Sequence, residues 1–234
     1  MATIAENIAE IRRRMAAAAE EAGRDPGTIR LVGASKMNDA DACRQAIAAG
    51  IDALGENRVQ EMTHKLAENA YDGAPLHFIG HLQRNKVKQV VGFVDLIESV
   101  SSLELLEDID RCAEKKGLVQ DILLEVNIGG EEAKSGFAPE ETAAAARRAG
   151  ELSHVRLRGL MAIPPVAEEP HGSLPYFEKV RALYVDINKN LYDNQFEYLS
   201  MGMSSDFEDA IRAGATMVRV GSAIFGARDY TQAK

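Results

Sequence analysis

A lysine closes an apolar run near the start of the chain. Residues 29–39 read IRLVGASKMND, and the first part is typical of a buried strand whose pattern turns polar at Lys36. A solvated loop lysine would account for this position. A lysine amine held in a poorly solvated pocket beside another cation, by contrast, loses its proton more readily and attacks carbonyl groups. Lys36 is therefore a candidate for Schiff-base chemistry.

Two loops in the last part of the chain are suited to a phosphate group. Ser204 and Ser205 follow the apolar segment EYLSMGM, and Ser205 with Glu208 fits the S-x-x-E capping box that begins a helix. Gly221 and Ser222 follow the segment TMVRV, where glycine allows close backbone approach and serine adds a hydroxyl donor. Free N–H groups at the start of a helix attract anions. Either loop alone would be an ordinary cap or turn, but the two together predict a phosphate site.

Arg219 interrupts the β-branched run in TMVRVGSAIF. Strand alternation places Arg219 and Gly221 on one face, with Val218 and Val220 on the other. A charge in such a strand costs free energy unless it is paired or lies at the edge of a site. Two interpretations remain open: an arginine at a rim that reaches water, or a fixed cation beside a ligand.

The elements that must position these residues alternate regularly along the chain. Eight apolar segments are separated by seven predicted helices, and most of the segments are apolar on both faces, which is typical of a parallel sheet covered by helices. In 234 residues this pattern predicts a closed (β/α)8 TIM barrel. A further helix, over about residues 3–22, precedes the first strand and could fill the place of an eighth helix. The eight segments are IRLVGASK, IDALGEN, LHFIG, LIESV, DILLEVNI, VRLRGLMAI, EYLSMGM and TMVRVGSAIF.

An open doubly wound sheet is the alternative architecture. It is less favoured because no G-x-G-x-x-G loop follows the first strand. No linker-like segment divides the chain, so we expect residues 1–234 to form a single domain.

Barrel closure would bring the candidate residues together. Active groups in such barrels lie at the C-terminal ends of the strands, and the first and eighth strands are neighbours. Lys36 would then face the same mouth as the two phosphate loops. An amine beside a phosphate site suggests a phosphorylated carbonyl compound. The residues leave two candidates: a sugar-phosphate aldolase, or pyridoxal 5′-phosphate (PLP) held as a lysine Schiff base.

Composition excludes several other classes of function. With 27 basic against 36 acidic residues and a net charge of −9, nucleic-acid binding is not expected. There is no apolar run of bilayer length, and the N-terminal stretch lacks the pattern of a secretory signal. The two cysteines, Cys43 and Cys112, lie in separate helical patterns and form no disulfide framework. A reducing, cytoplasmic compartment fits this composition.

The histidines do not predict a metal site. His77 and His81 flank a strand end, but their spacing of four residues would suit one face of a helix rather than a strand and turn. We expect His77 to be a satisfied residue of the barrel interior instead.

Longer motifs show that the chain resembles the PLP homeostasis protein family. The likeness covers nearly the whole chain, and its last motif is long and specific. It implies a (β/α)8 barrel similar to the N-terminal domain of alanine racemase, with PLP as cofactor. The motifs are LVGASK, LGENRVQE, LHFIGHLQRNK, LEVNIGGEEAKSGF, RGLMAIPP and LSMGMSSDFEDAIRAGATMVRVGSAIFGARDY.

The resemblance implies roles for particular residues. Lys36 would carry the Schiff base and Arg219 would face the pyridine nitrogen. This chain departs from the family in having KMND where a Thr and a Pro often follow the lysine, and Leu76 where a Trp often precedes HFIG. The other implied cofactor-binding positions are Ser204, Gly221 and Ser222 as the phosphate grip, Met203 beside it, Asn57 near the ring substituents, and His77 and Met201 as further neighbours.

Arg219 also bears on whether the site turns over a substrate. An arginine is always protonated and only donates hydrogen bonds, so it cannot accept one from a protonated ring nitrogen. The nitrogen then stays neutral and the ring is a weaker electron sink. Alanine racemase works with such an arginine but adds a tyrosine from a second domain, which this chain is not expected to have.

We therefore expect a PLP-binding protein of PLP homeostasis, a carrier or buffer without robust turnover. A PLP-dependent amino-acid racemase of low activity and a Schiff-base aldolase are the alternatives. The expected partners are PLP itself and, as candidate recipients, apo forms of PLP-dependent enzymes. A monomer is expected.

Overall fold

Eight parallel strands close into a barrel in which β1 and β8 are neighbours. The computed structural model describes residues 2–131, 134–167 and 169–226. Each strand coincides with one of the eight apolar segments, with β5 beginning one residue earlier at Gln120, so the predicted (β/α)8 architecture is confirmed. The strands are β1 (Arg30–Ala34), β2 (Ala53–Glu56), β3 (Leu76–Phe78), β4 (Leu96–Val100), β5 (Gln120–Val126), β6 (Val155–Ala162), β7 (Tyr198–Ser200) and β8 (Met217–Val220).

Helices cover the outside of the barrel between successive strands. Between β3 and β4 the α-helix is replaced by a 3-10 helix, Arg84–Gln89. Val87 and Val90 are both buried there, and their three-residue spacing matches the 3-10 repeat. The α-helices are α1 (Ile4–Glu21), α2 (Ala40–Ala48), α3 (Val59–Ala67), α4 (Leu103–Lys116), α5 (Pro139–Glu151), α6 (Leu174–Leu191), α7 (Phe207–Arg212) and α8 (Ser222–Phe225). None of the helices in the described ranges has the length and apolarity needed to cross a bilayer.

The N-terminal helix α1 fills the place that an eighth full helix would occupy. It packs against α7, α8 and α2, so it bridges the last and first helices of the shell. Asn7 donates to the carbonyl oxygen of Ile224 in the short helix α8, at 2.8 Å. Arg14 forms a two-point ion pair with Glu208 of α7, at 2.7 and 3.0 Å. The expected role of this helix is confirmed.

The barrel interior is built in two layers. The first layer is apolar and forms a cluster distinct from the core between strands and helices; it consists of Val32, Ala53, Leu96, Leu123, Met161 and Met217. Two residues further along the strands, on the same face by alternation, come Glu98, Glu125 and Arg219. Polar groups therefore lie above an apolar floor, toward the C-terminal ends of the strands.

Candidate functional site

Lys36 lies in the turn that follows β1, at the C-terminal mouth of the barrel. The strand ends at Ala34, and Lys36 is half-buried two residues later. A Cβ atom on Gly221, after β8, would lie 3.3 Å from the carbonyl oxygen of Ala34. The ends of β1 and β8 are therefore in close contact, and Lys36 and Gly221 share one mouth, as the closed barrel required.

The turn after Lys36 has an unusual backbone. Met37 has φ +62°, in the left-handed region that L side chains seldom adopt. Its N–H donates to Glu61 of α3 at 2.8 Å, and the N–H of Asn38 donates to the carbonyl oxygen of Ser35 at 3.1 Å. The KMND departure from the family pattern thus falls in a turn held by hydrogen bonds at both sides of Met37.

The two predicted phosphate loops meet directly. The N–H of Gly221 donates to the hydroxyl of Ser204 at 3.3 Å, which joins the loop after β7 to the loop after β8. Gly221 is the residue before α8, and no side chain caps that helix. Ser204 is half-buried and Ser222 is exposed.

The predicted capping box at Ser205 is wrong. Helix α7 begins at Phe207, with Asp206 as the preceding residue and no side-chain cap. Asp206 instead accepts the N–H of Met203 at 2.7 Å, and Glu208 is held by Arg14 of α1. The serines therefore lie in the turn before the helix, because the acidic residues of the motif bind elsewhere.

Arg219 is buried, with 4% of its surface exposed, so the interpretation as a rim arginine is wrong. Its guanidinium donates to the hydroxyl of Ser200 at 2.5 Å and to the carbonyl oxygen of Ala162 at 3.1 Å. The Ser200 hydroxyl donates in turn to Glu98 Oε2 at 2.6 Å, and Glu98 Oε1 bonds to His77 Nδ1 at 2.7 Å. A continuous polar chain thus crosses the barrel interior from His77 to Arg219.

The two interior glutamates have opposite electrostatic environments. Burial alone would raise the pKa of Glu98, but His77, the charge of Arg219 and the Ser200 hydrogen bond together hold it below its ordinary value. Burial raises the pKa of Glu125, against a smaller opposing effect of Arg219. Burial also lowers the pKa of Arg219, opposed by Glu98, Glu125 and Asp206. Glu98 is therefore the principal counter-charge of the buried guanidinium.

Asn57 follows β2 and lies against the loop after β3. A Cβ atom on Gly80 would be 2.2 Å from the carbonyl oxygen of Asn57, so only glycine fits there. Within the described residues, Asn57 Oδ1 is buried and has no hydrogen-bond partner, and the same holds for Glu125 Oε2. Buried polar atoms without partners are rare, and such an acceptor suits a ligand that donates to it.

The remaining predicted residues divide between the mouth and the core. Met203 is half-buried beside Ser204 in the same loop. Met201 is fully buried in the core between strands and helices, because it follows the inward-facing Ser200 and therefore points outward. Met201 is not brought to the mouth. His77 is buried in the interior, where the sequence placed it, and its partner is Glu98.

Glu98, Glu125 and Ser200 were missed by the sequence analysis. A signal for the two glutamates was present, since each interrupts an apolar strand in LIESV and DILLEV, as Arg219 does in TMVRV. A buried cation in one strand calls for an anion in another. Both glutamates could therefore have been predicted from their strands as buried counter-charges for Arg219.

We predict opposite stability effects of the same substitution at the two glutamates. The lowered pKa of Glu98 means that its carboxylate stabilises the fold above about pH 4.3, and that this is lost as the pH falls through its folded-state value. The raised pKa of Glu125 means that its ionisation opposes folding as the pH rises past the same point. Glu98→Gln should lower the free energy of unfolding at pH 7 by about 3–5 kcal/mol. Glu125→Gln should leave it unchanged or raise it.

Urea unfolding of the ligand-free variants at pH 4 and pH 7 measures both effects. The deficit of Glu98→Gln should shrink at pH 4. Equal deficits for the two variants at pH 7 would contradict the assignment of Glu98 as the principal counter-charge.

Comparison with known proteins agrees with this geometry. A family model described as the alanine racemase N-terminal domain matches residues 1–229. A protein of Pseudomonas aeruginosa PAO1 is 44% identical over 233 residues, which cover 98% of each chain; one of Aquifex aeolicus VF5 is 42% identical over 225 residues, 96% of this chain and 98% of the relative. Both are called pyridoxal phosphate homeostasis protein.

A solved structure extends the likeness to three dimensions. PipY of Synechococcus elongatus PCC7942, solved with PLP bound, superposes with a TM-score of 0.81 at 33% identity, covering 96% of this chain and all of PipY. From the family model and these relatives, the chain belongs to the alanine racemase N-terminal domain family and, within it, to the pyridoxal phosphate homeostasis proteins.

Proposed function

We propose that this protein binds PLP as a Schiff base on Lys36 and serves as a carrier or buffer in PLP homeostasis. The observation that carries the proposal is the meeting of three features at one barrel mouth. They are the lysine after β1, the joined loops at Ser204 and Gly221, and the buried guanidinium of Arg219 in the layer beneath. A PLP-bound relative with the same barrel supports it.

The joined loops suit the phosphate group. A phosphate oxygen could accept hydrogen bonds from the hydroxyls of Ser204 and Ser222 and from the N–H groups at the start of α8. Ser204 already accepts from the N–H of Gly221, so its own hydroxyl hydrogen remains available for a ligand. Met203 lies in the same loop and would flank the phosphate.

Arg219 would donate to the pyridine nitrogen from the polar layer. Its contacts with Ser200, Ala162 and Glu98 fix the guanidinium, which stays protonated at physiological pH. A donor in this position leaves the ring nitrogen unprotonated. Bound PLP supplies an aldehyde and an electron-withdrawing ring, and this neutral ring withdraws electrons less strongly than a protonated one.

The packing of the tyrosines in the described residues supports a holding role rather than turnover. Racemisation needs a proton taken from one side of a carbon and returned to the other. The five tyrosines in the described ranges all contact other parts of the fold. Tyr71, Tyr176, Tyr184 and Tyr192 pack into the core between strands and helices, and Tyr198 packs against the apolar floor.

The proposed recipients of the bound PLP are apo forms of PLP-dependent enzymes. The protein is proposed to act in the cytoplasm as a single-domain monomer. Free, buried thiols at Cys43 and Cys112 support a reducing compartment. The match to the alanine racemase N-terminal domain supports a PLP-dependent amino-acid racemase as the second candidate function. No observation favours the aldolase.

The lysine assignment is tested by absorbance and mass spectrometry. Protein incubated with PLP should show the near-visible band of a Schiff base. Borohydride should remove the band and leave a pyridoxyl-phosphate adduct on Lys36. Lys36→Ala should abolish both, because no other amine is proposed to react. Lys88→Ala, on the exposed flank of the barrel, is the matched control and should behave as the wild type.

If the Schiff-base band or the adduct still forms in Lys36→Ala, the assignment of Lys36 as the reacting lysine is wrong. Wild-type protein that never forms the band would remove the proposed function itself.

The phosphate grip is tested by comparing PLP with pyridoxal, which lacks the phosphate. Ser204→Ala and Ser222→Ala should each weaken PLP binding by about 1.5–3 kcal/mol, roughly 10- to 150-fold in Kd, because each removes a hydrogen bond to a charged group. Pyridoxal binding should change little. Equal losses for the two ligands would place the phosphate elsewhere.

A further inference from the structure

A buried ion pair lies behind the barrel mouth, on the outer side of β1 and β2. Lys65 of α3 and Glu56 of β2 are 5% and 0% exposed, and Lys65 Nζ is 2.6 Å from Glu56 Oε1. The same ammonium donates to the backbone carbonyl oxygen of Ser35 at 2.8 Å. One buried cation therefore bonds to two neighbouring strand ends at once.

Two further donors converge on the same carboxylate oxygen. The hydroxyls of Ser35 and Tyr71 donate to Glu56 Oε1 at 2.6 and 3.1 Å. Within the described part of the chain, Glu56 Oε2 is buried and has no hydrogen-bond partner. Three donors thus meet on one oxygen of the anion, and Lys65 is the charged donor among them.

Stability alone does not account for this arrangement. Removing two charges from water is costly, and a well-packed apolar pair of similar volume often gives equal or greater stability. A role in fixing geometry is the best-attested alternative for buried polar groups. The neighbours of the pair indicate which geometry is fixed.

Both strand ends held by Lys65 lie one residue before a proposed pocket residue. Ser35 precedes Lys36, and Glu56 precedes Asn57. A backbone hydrogen bond also connects the same strand ends, from the N–H of Ser35 to the carbonyl oxygen of Gly55 at 3.0 Å. Ser35 and Glu56, which face the helices, are therefore bonded to each other directly behind Lys36 and Asn57, the residues proposed to contact the ligand.

We propose that the Lys65–Glu56 pair is a positioning clamp that holds the turn carrying Lys36 in register with Asn57 for reaction with the PLP aldehyde. The inference rests on the proposed function. Lys65 bonds to the backbone and Glu56 rather than to a ligand, so it acts through Lys36. Misplacement of a reacting amine by about 1 Å can cost on the order of a hundredfold in reactivity.

The test compares two ligands that differ in the reacting group. PLP binds with formation of a bond to the amine, whereas pyridoxine 5′-phosphate has an alcohol in place of the aldehyde and cannot react. The double variant Glu56→Gln/Lys65→Met removes both charges together, so that no lone buried charge remains. Its affinity for PLP should fall roughly tenfold or more, while that for pyridoxine 5′-phosphate should stay within about twofold.

Tyr71→Phe is the matched control. It removes one donor to Glu56 Oε1 but leaves the bond from Lys65 to the Ser35 carbonyl, so both affinities should match the wild type. If the double variant does not fold, Glu56→Gln/Lys65→Gln gives the same readout. It also removes both charges, keeps polar side chains at both positions, and replaces the lysine by a side chain one bond shorter.

Parallel losses for the two ligands would overturn the inference, because the pair would then support the pocket as a whole. Unchanged affinity for both ligands would overturn it as well. A failure of the proposed function is distinct, because wild-type protein would then form no borohydride-fixed adduct with PLP.

Discussion

The guanidinium group of Arg219 lies inside the barrel, where a cation is unstable unless other groups compensate its charge and accept its hydrogen bonds. Glu98 supplies the charge, and Ser200 and Ala162 accept the N–H groups. Ser200 and Ala162 lie on β7 and β6, the strands nearest to β8 on one side. Glu98 lies on β4, across the interior, and meets Arg219 only when the sheet closes into a barrel. The polar layer and the closure of the sheet therefore depend on each other.

The position of this layer determines what the mouth can do. It lies two residues before Gly221 along β8 and above an apolar floor, so one edge of a flat ligand would meet a fixed cation while its phosphate reaches the joined loops. On the outer side of β1 and β2, Lys65 bonds to Ser35 and Glu56, the residues just before Lys36 and Asn57. Inward and outward polar groups thus lie on opposite faces of the sheet near the same barrel mouth.

The architecture could be predicted from the sequence because it depends on local patterns. Apolar segments of strand length, alternating with helices, determine the barrel, and closure alone brings Lys36 near Ser204 and Gly221. The capping box could not be judged locally, because Glu208 is held by Arg14 of the distant helix α1. The outward position of Met201 followed from alternation with Ser200 but needed the register of β7. The partners of Arg219 lie on three other strands, and no local pattern connects them.

We propose that this site holds PLP without catalysing the turnover of an amino acid. The most direct test is exchange of the α-proton of an L-amino acid in D2O, followed by proton NMR with PLP-loaded protein. Exchange should be no faster than with free PLP at the same concentration, because the ring nitrogen of the bound cofactor is expected to stay neutral. If exchange is far faster than that and is lost in Lys36→Ala, the proposed holding role is wrong and the protein is an enzyme.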